Sequence, residues 1–207
     1  MTDPHRIENV SQLRERMGQA SPATAAKVDD RLDAFGRDFI ARAPFLVLST
    51  ADAHGRQDAS PKGDAPGFVE VVDDRTLLIP DRKGNRLLYG LENILANPAV
   101  GLLFMVPGCE ETLRINGRAE ITADPELLQR LAARGQDALV AIRIEVQESF
   151  FHCAKAFRRS ALWKPETWQP HRVSFGEIFA AKAQKPGDPA IVENIDAAIE
   201  QDYQENL

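Results

Sequence analysis

Residues 79–86 read Ile79-Pro80-Asp81-Arg82-Lys83-Gly84-Asn85-Arg86. Before them, Thr76 to Ile79 has the make-up of a strand. After them, Arg86 to Asn97 has helical character and is closed by Asn97-Pro98. A strand that runs through a proline and a basic turn into a helix puts positive charge at one end of a sheet. Arginine offers a planar fork that matches phosphate oxygens, and lysine adds a compact point charge. Gly84 lets a ligand approach the backbone, and N–H groups at the start of the helix that follows add to anion binding. Taken alone, the run reads first as a solvated, charged turn.

Working outward, the chain from about 45 to 147 is dominated by short strands. Phe45 to Thr50 is mostly apolar, Asp52-Ala53-His54-Gly55 is turn-like, and Gln57 to Ser60 forms the returning strand of a hairpin. Gly67 to Val72 pairs with Thr76 to Ile79 around Asp73-Asp74-Arg75. Ala99 to Val106 is a third apolar run. In Thr112 to Thr122 the residues Leu113, Ile115, Gly117, Ala119 and Ile121 share one face. Asp124-Pro125 starts a short helix, and Ala138 to Val146 is another strand. Many short strands with few helices predict a closed or partly closed β-barrel. The strand–helix alternation of a doubly wound parallel sheet is missing.

Helices are expected at both ends. Ser21-Pro22 resembles an N-cap with proline at the first helical position. Beyond it Val28, Leu32, Phe35, Phe39 and Ile40 recur on one face, and Pro44 ends the helix. This predicts one packing helix laid on the sheet. After about 148, Trp163 and Trp168 flank a short irregular stretch, and Lys185 to Pro189 reads as a linker. Ile191 to Tyr203 reads as a terminal amphipathic helix, with Ile191, Ile195, Ala198 and Ile199 on one side.

Composition narrows the function classes. The 207 residues suffice for one substantial domain, with 43% hydrophobic and 27% charged residues. A formal net charge of -6 disfavours non-specific nucleic-acid binding, which rests on basic surfaces. No apolar run reaches the length of a membrane span, and the polar start lacks a secretory signal. With two cysteines, Cys109 and Cys153, and no disulfide framework, a reducing, cytoplasmic setting is expected.

Three further clusters can carry chemistry. Ser60-Pro61-Lys62-Gly63-Asp64 reads on its own as a turn with salt-bridging charges. In Glu110 to Gly117, Arg114 and Asn116 alternate with Leu113 and Ile115, so they face solvent or a ligand cleft. Lys155, Arg158 and Arg159 precede Ser160-Ala161-Leu162-Trp163; basic groups beside an aromatic suit a planar anion, and equally a subunit interface. His152-Cys153 lacks the partner spacing of a zinc site, because His5, His54 and His171 stand apart, so no metal is expected. Cys153 is expected as a buried thiol in a short helix. Neither a dinucleotide fingerprint nor a P-loop is present.

In this order and spacing, the pieces resemble the pyridoxamine 5'-phosphate oxidase-like split-barrel family, most closely a bacterial subgroup of flavoproteins. The resemblance rests on Ser60 to Asp64, Ile79 to Arg86, Asn93 to Pro98, Glu111 to Gly117, and His152 to Ala156 through Trp163. It implies an α+β, FMN-binding split β-barrel over 44–170, with helical extensions over 1–43 and 171–207. It implies a homodimer with FMN at the interface, and oxidoreductase chemistry on a small molecule. Arg82 and Lys83 match the phosphate-gripping pair, assisted by Asn85 and Arg86. Ser60, Pro61 and Lys62 match the strand that passes the isoalloxazine ring, with Pro80 and Asp81 on the neighbouring strand end. Thr112 takes the place of a ring-contacting glutamine, and Arg114 that of the arginine two residues later. Lys155, Arg158, Arg159, Ser160 and Trp163 become candidates to reach the partner's flavin. The Arg-Leu-His-Asp-type segment that binds vitamin B6 substrate in the oxidase proper is absent, which argues against that substrate. A flavin carrier or sensor, or a split barrel holding F420 or haem, are the competing readings.

Overall fold

The computed structural model describes residues 3–206. Its centre is one seven-stranded sheet in the order β2-β1-β5-β6-β7-β4-β3. The strands are β1 (Phe45–Ala51), β2 (Gln57–Gly63), β3 (Glu70–Val71), β4 (Thr76–Asp81), β5 (Ala99–Met105), β6 (Thr112–Thr122) and β7 (Val140–His152). Every pairing is antiparallel. The alternation in Thr112 to Thr122 predicts this outcome: Leu113, Ile115 and Ala119 are buried, while Arg114, Arg118 and Glu120 face out. The inward residues of β1, β4, β5 and β7 join them in a single core around Leu46, Leu48, Ile79, Phe104 and Ile142. Each such side chain contributes about 1.5–3 kcal/mol on burial.

The sheet does not lie flat. In strand order β2 is one edge and β4 is next to the other. Yet Lys62 on β2 forms an ion pair with Asp81 on β4. Just past those strands, Arg82 Nε reaches Asp64 at 2.7 Å. The sheet therefore curls until its ends meet, and side chains join them; among the described residues no backbone ladder does so. This seam is the split in the barrel. A bulge at Asn116/Gly117 adds curvature on β6. Gly117 is required there, because a Cβ would stand 2.2 Å from the Glu145 carbonyl oxygen.

Helices close the barrel. Helix α3 (Ala34–Arg42), N-capped by Asp33, buries Phe39 and Ile40. Phe39 meets Phe151 edge-on at 5.4 Å. Helix α4 (Tyr89–Ala96) buries Ile94 and ties Asn93 Nδ2 to Thr50 Oγ1 on β1 at 3.0 Å. Helix α5 (Pro125–Arg130), with Asp124 as N-cap, brings Leu127 and Leu128 to a small second core containing Leu78, Leu131, Ala138 and Ala141. No helix among the described residues is long and apolar enough to cross a membrane.

Four local features differ from expectation. The N-terminal helix is not continuous. Ser21 does cap a helix that starts at Pro22, but this α2 (Pro22–Ala25) stops after one turn; α1 (Val10–Met17) precedes it. Asp29 then bridges to Ser149 on β7, and Leu32 N–H donates to Asp74 O. These strand-like bonds outcompete helix, and the expected face breaks up: Leu32 is buried while Val28 and Phe35 are exposed. Helix α4 starts at Tyr89 rather than Arg86, because Arg86 and Leu88 adopt left-handed backbone and Asn85 Oδ1 accepts from Leu87 N–H. Cys153 is exposed, not buried in a helix. Strand β7 runs on to His152, past the expected end near Val146, because it pairs with β6 over its whole length.

After β7 come α6 (Lys155–Ser160), a single 3₁₀ turn, α7 (Phe175–Lys182) and α8 (Pro189–Glu205). The last helix falls where Ile191 to Tyr203 predicts it. Helices α7 and α8 form a tight hairpin. A Cβ on Gly176 would sit 2.3 Å from Val192 O, so glycine alone permits that approach. Asp196 of α8 accepts from Ser174 Oγ and Gly176 N–H, both at 2.8 Å.

Candidate cofactor site

The seam gathers the first set of predicted residues. Strand β2 carries Ser60, Pro61 and Lys62, and β4 ends in Pro80-Asp81. The sequence 60–64 continues β2 as a strand edge instead of forming a turn, since β1 pairs with it from Gln57 to Gly63. Lys62 and Asp81 are both largely withdrawn from solvent and bonded to each other. Asp64, 3% exposed, accepts from Arg82 Nε at 2.7 Å and Arg134 Nη1 at 2.9 Å. Arg82 also donates from Nη2 to Leu131 O at 3.0 Å. Burial pushes the Asp64 carboxyl up. The Ala65 N–H, the Arg82 hydrogen bond and the charges of Arg82 and Arg134 outweigh it, so the carboxyl lies below its ordinary value.

Two buried side-chain polar atoms have no partner among the described residues: Ser60 Oγ and Arg82 Nη1. Arg82 is part of the seam, and Ser60 stands two residues before Lys62 on β2. Leaving a buried donor unpaired costs about 1–3 kcal/mol, so such atoms ask for an explanation. Ser60 Oγ lies beneath the first turn of α4, where a Cβ on Gly90 would stand 3.4 Å from it. Beyond Arg82, the turn residues Lys83, Asn85 and Arg86 are exposed. A hydroxyl on β2, with a guanidinium nitrogen and a basic turn at the end of β4, fits a phosphorylated, polar-edged cofactor.

The second set lies elsewhere. Thr112, 4% exposed, starts β6 and pairs with His152. Arg114 faces out with its guanidinium carbon 5.1 Å from the Phe150 ring centre. It forms no ion pair among the described residues, whereas Lys62 and Arg82 each have a carboxylate. Lys155, Arg158, Arg159 and Ser160 ride on α6 and are exposed. Arg158 bonds Glu110 at 2.7 Å, and Ser160 Oγ donates to Phe157 O. Trp163 stacks on Phe157 and donates from Nε1 to Cys109 O at 2.7 Å.

Within the chain the two sets stay apart. Pro61, Val47, Leu103 and Arg114 lie in one cross-strand row over β2, β1, β5 and β6. Three strand spacings separate the outer members by about 14 Å. The outward face between them is apolar: Phe45, Val47, Leu103 and Met105 are only partly exposed. Strands β1 and β5 are thus apolar on both faces.

Asp64 and Arg134 escaped the sequence reading as site residues. Asp64 stood inside the quoted motif, and its spacing gave no sign of a partner beyond β4; Arg134 carries no signal at all. A hollow of about 450 Å³ does exist on the outer face of β6 and β7, but none of the predicted residues lines it. Its charges match each other across the ladder, Arg118 facing Glu145 and Glu120 facing Arg143.

The model of the pyridoxamine 5'-phosphate oxidase family matches residues 32–153. The chain belongs to that family. Among solved structures it is similar to HupZ of Group A Streptococcus, at 19% identity over 58% of this chain and 93% of that chain, with a TM-score of 0.48. It is also similar to General Stress Protein 26 of Bacillus anthracis, at 17% identity over 56% and 88%, with a TM-score of 0.44. An FMN-binding protein of Syntrophomonas wolfei matches at 10% identity over 56% and 88%, with a TM-score of 0.44. No curated protein matches the sequence.

Proposed function

We propose that the protein binds FMN at the β2–β4 seam and is an FMN-dependent oxidoreductase acting on a small molecule in the cytoplasm. The carrying observation is that both unpartnered buried polar atoms, Ser60 Oγ and Arg82 Nη1, fall in the two segments that the family pattern assigns to the cofactor. Lys83, with Asn85 and Arg86 on the same turn, would hold the phosphate. Ser60, Pro61 and Lys62 would pass the ring, beside Pro80 and Asp81. Arg82 is anchored by Asp64, so it would present Nη1 from a fixed position.

When bound, FMN supplies hydride or electron transfer, and the protein supplies binding and charge. A cation beside the ring's N1–C2=O edge favours the anionic reduced form. Arg114 suits that role better than Lys62, because Asp81 already offsets the lysine charge. The 14 Å-scale gap between the two sets and the apolar strip on β1 and β5 support a homodimer. In it, exposed Arg114 and the α6 segment with Lys155, Arg158, Arg159, Ser160 and Trp163 would meet the flavin held by the other copy's seam, whereas Thr112 is covered within its own chain.

The test is to purify the protein, reconstitute it with FMN and follow flavin absorbance and fluorescence quenching. Saturable FMN binding in a dimer is expected. A protein that leaves FMN free, or carries a haem Soret band or a deazaflavin spectrum instead, overturns the proposal.

A further inference from the structure

Lys83 Nζ donates to Asn206 Oδ1, the residue that ends α8, 123 positions further along the chain. Asn206 is held in turn by Asp202. Its backbone N–H donates to Asp202 O at 3.0 Å, and its Nδ2 donates to Asp202 Oδ1 at 2.6 Å. The two ends of the carboxamide are thereby assigned, with oxygen toward the lysine and nitrogen toward the carboxylate. This tip is positioned by a rigid unit. Helix α8 has 17 residues, about 25 Å of helix, and is locked to α7 at Gly176–Val192 and Ser174–Asp196.

The chemistry of this contact differs from that of its neighbours. Lys62 and Arg82 are bonded to carboxylates, Asp81 and Asp64. Lys83 is bonded to a neutral amide and forms no ion pair among the described residues. One of its three N–H groups is used, so two remain for a ligand. A lysine on a flexible four-carbon stem loses rotamer entropy when fixed, and Asn206 fixes part of the stem in advance. Asp202 is bonded to the Asn206 amide nitrogen, and no Lys83–Asp202 ion pair forms among the described residues.

We infer that the tip of α8 belongs to the cofactor site, with Asn206 as a positioning residue that aims Lys83 at the cofactor phosphate without neutralising it. This rests on the seam being the flavin site. It gives the C-terminal hairpin, which lies outside the family-matched segment, a part in ligand binding.

The experiment titrates the full-length protein and its Asn206→Asp, Asn206→Ala and Lys83→Ala variants with FMN and with riboflavin, which lacks the phosphate. Thermal melts confirm that each variant is folded; position 206 lies at a helix end and outside the core. Asn206→Asp puts a carboxylate on the lysine and is expected to cut the preference for FMN over riboflavin about tenfold. Asn206→Ala, which frees the stem, is expected to cut it about three- to fivefold. Riboflavin affinity stays unchanged in both, and neither substitution has a further effect on a Lys83→Ala background. Wild-type preference for FMN retained or increased in both Asn206 variants overturns the inference while leaving the seam as the flavin site. Failure of the wild type to bind either flavin overturns both.

Discussion

Replacing Asp64 with asparagine keeps the shape of the side chain and removes the charge that closes the barrel seam. The carboxylate is 3% exposed and takes hydrogen bonds from Arg82 at 2.7 Å and Arg134 at 2.9 Å. Arg134 is half exposed at 52%, so its share is at most about 1 kcal/mol. Arg82 is 24% exposed and already has Nη1 unpaired, so losing the anion leaves a mostly buried cation uncompensated. Breaking a fully buried pair costs about 3–5 kcal/mol; partial exposure brings this case to about 2–4 kcal/mol in total. With a urea m-value of about 2–3 kcal/mol/M, the unfolding midpoint should fall by about 1 M. The effect should depend on pH in a definite sense. The Asp64 carboxyl ionises below its ordinary value of 3.8 in the folded protein. Its stabilisation is therefore complete above that value and is lost as pH falls through the lower folded-state value. The gap between wild type and Asp64→Asn should be full near neutrality and shrink in acid. Unchanged midpoints at neutral pH, or a gap that widens in acid, would refute the reasoning.

Two glycine substitutions probe packing that the chain leaves no room to alter. Gly117→Ala drives a methyl into the Glu145 carbonyl at the bulge and should cost about 1–3 kcal/mol, read as a lower melting temperature; an unchanged melt would show that the bulge can relax. Gly176→Ala should spread α7 from α8, so limited proteolysis should cut near the hairpin while the barrel's own stability stays within about 0.5 kcal/mol of wild type. Loss of barrel stability equal to that of Gly117→Ala would mean that the hairpin and barrel unfold together.

The barrel strands were legible because period-two alternation and turn residues act locally. Thr112 to Thr122 and the hairpin from Phe45 show it most plainly, and both strands start where the pattern starts. What misled was competition between local and distant bonds. Val28 to Phe35 has helical spacing, but Asp29 finds Ser149 and Leu32 finds Asp74, over 100 and 40 residues away, and no local pattern encodes those partners. Strand β7 outran its apolar stretch for the same reason. Its partner β6 was long enough to pair with Glu148, Ser149 and His152 beyond the apolar run. In the site, residue types announced the basic turn and position announced Lys62. The pairing of Lys62 with Asp81 and of Arg82 with Asp64 depended on the curl of the sheet. Lys83–Asn206 was the least legible, because it joins the turn to a helix beyond the family pattern.

In the proposed site, the basic turn after β4 grips a flavin phosphate. Lys83 is the residue to remove, since it is exposed and can be lost without opening the seam as loss of Arg82 would. The decisive measurement is the FMN dissociation constant of Lys83→Ala beside that of wild type, by fluorescence quenching at fixed ionic strength. Loss of a charge-assisted bond to phosphate should weaken binding about tenfold or more. An FMN affinity equal to that of wild type would contradict the account.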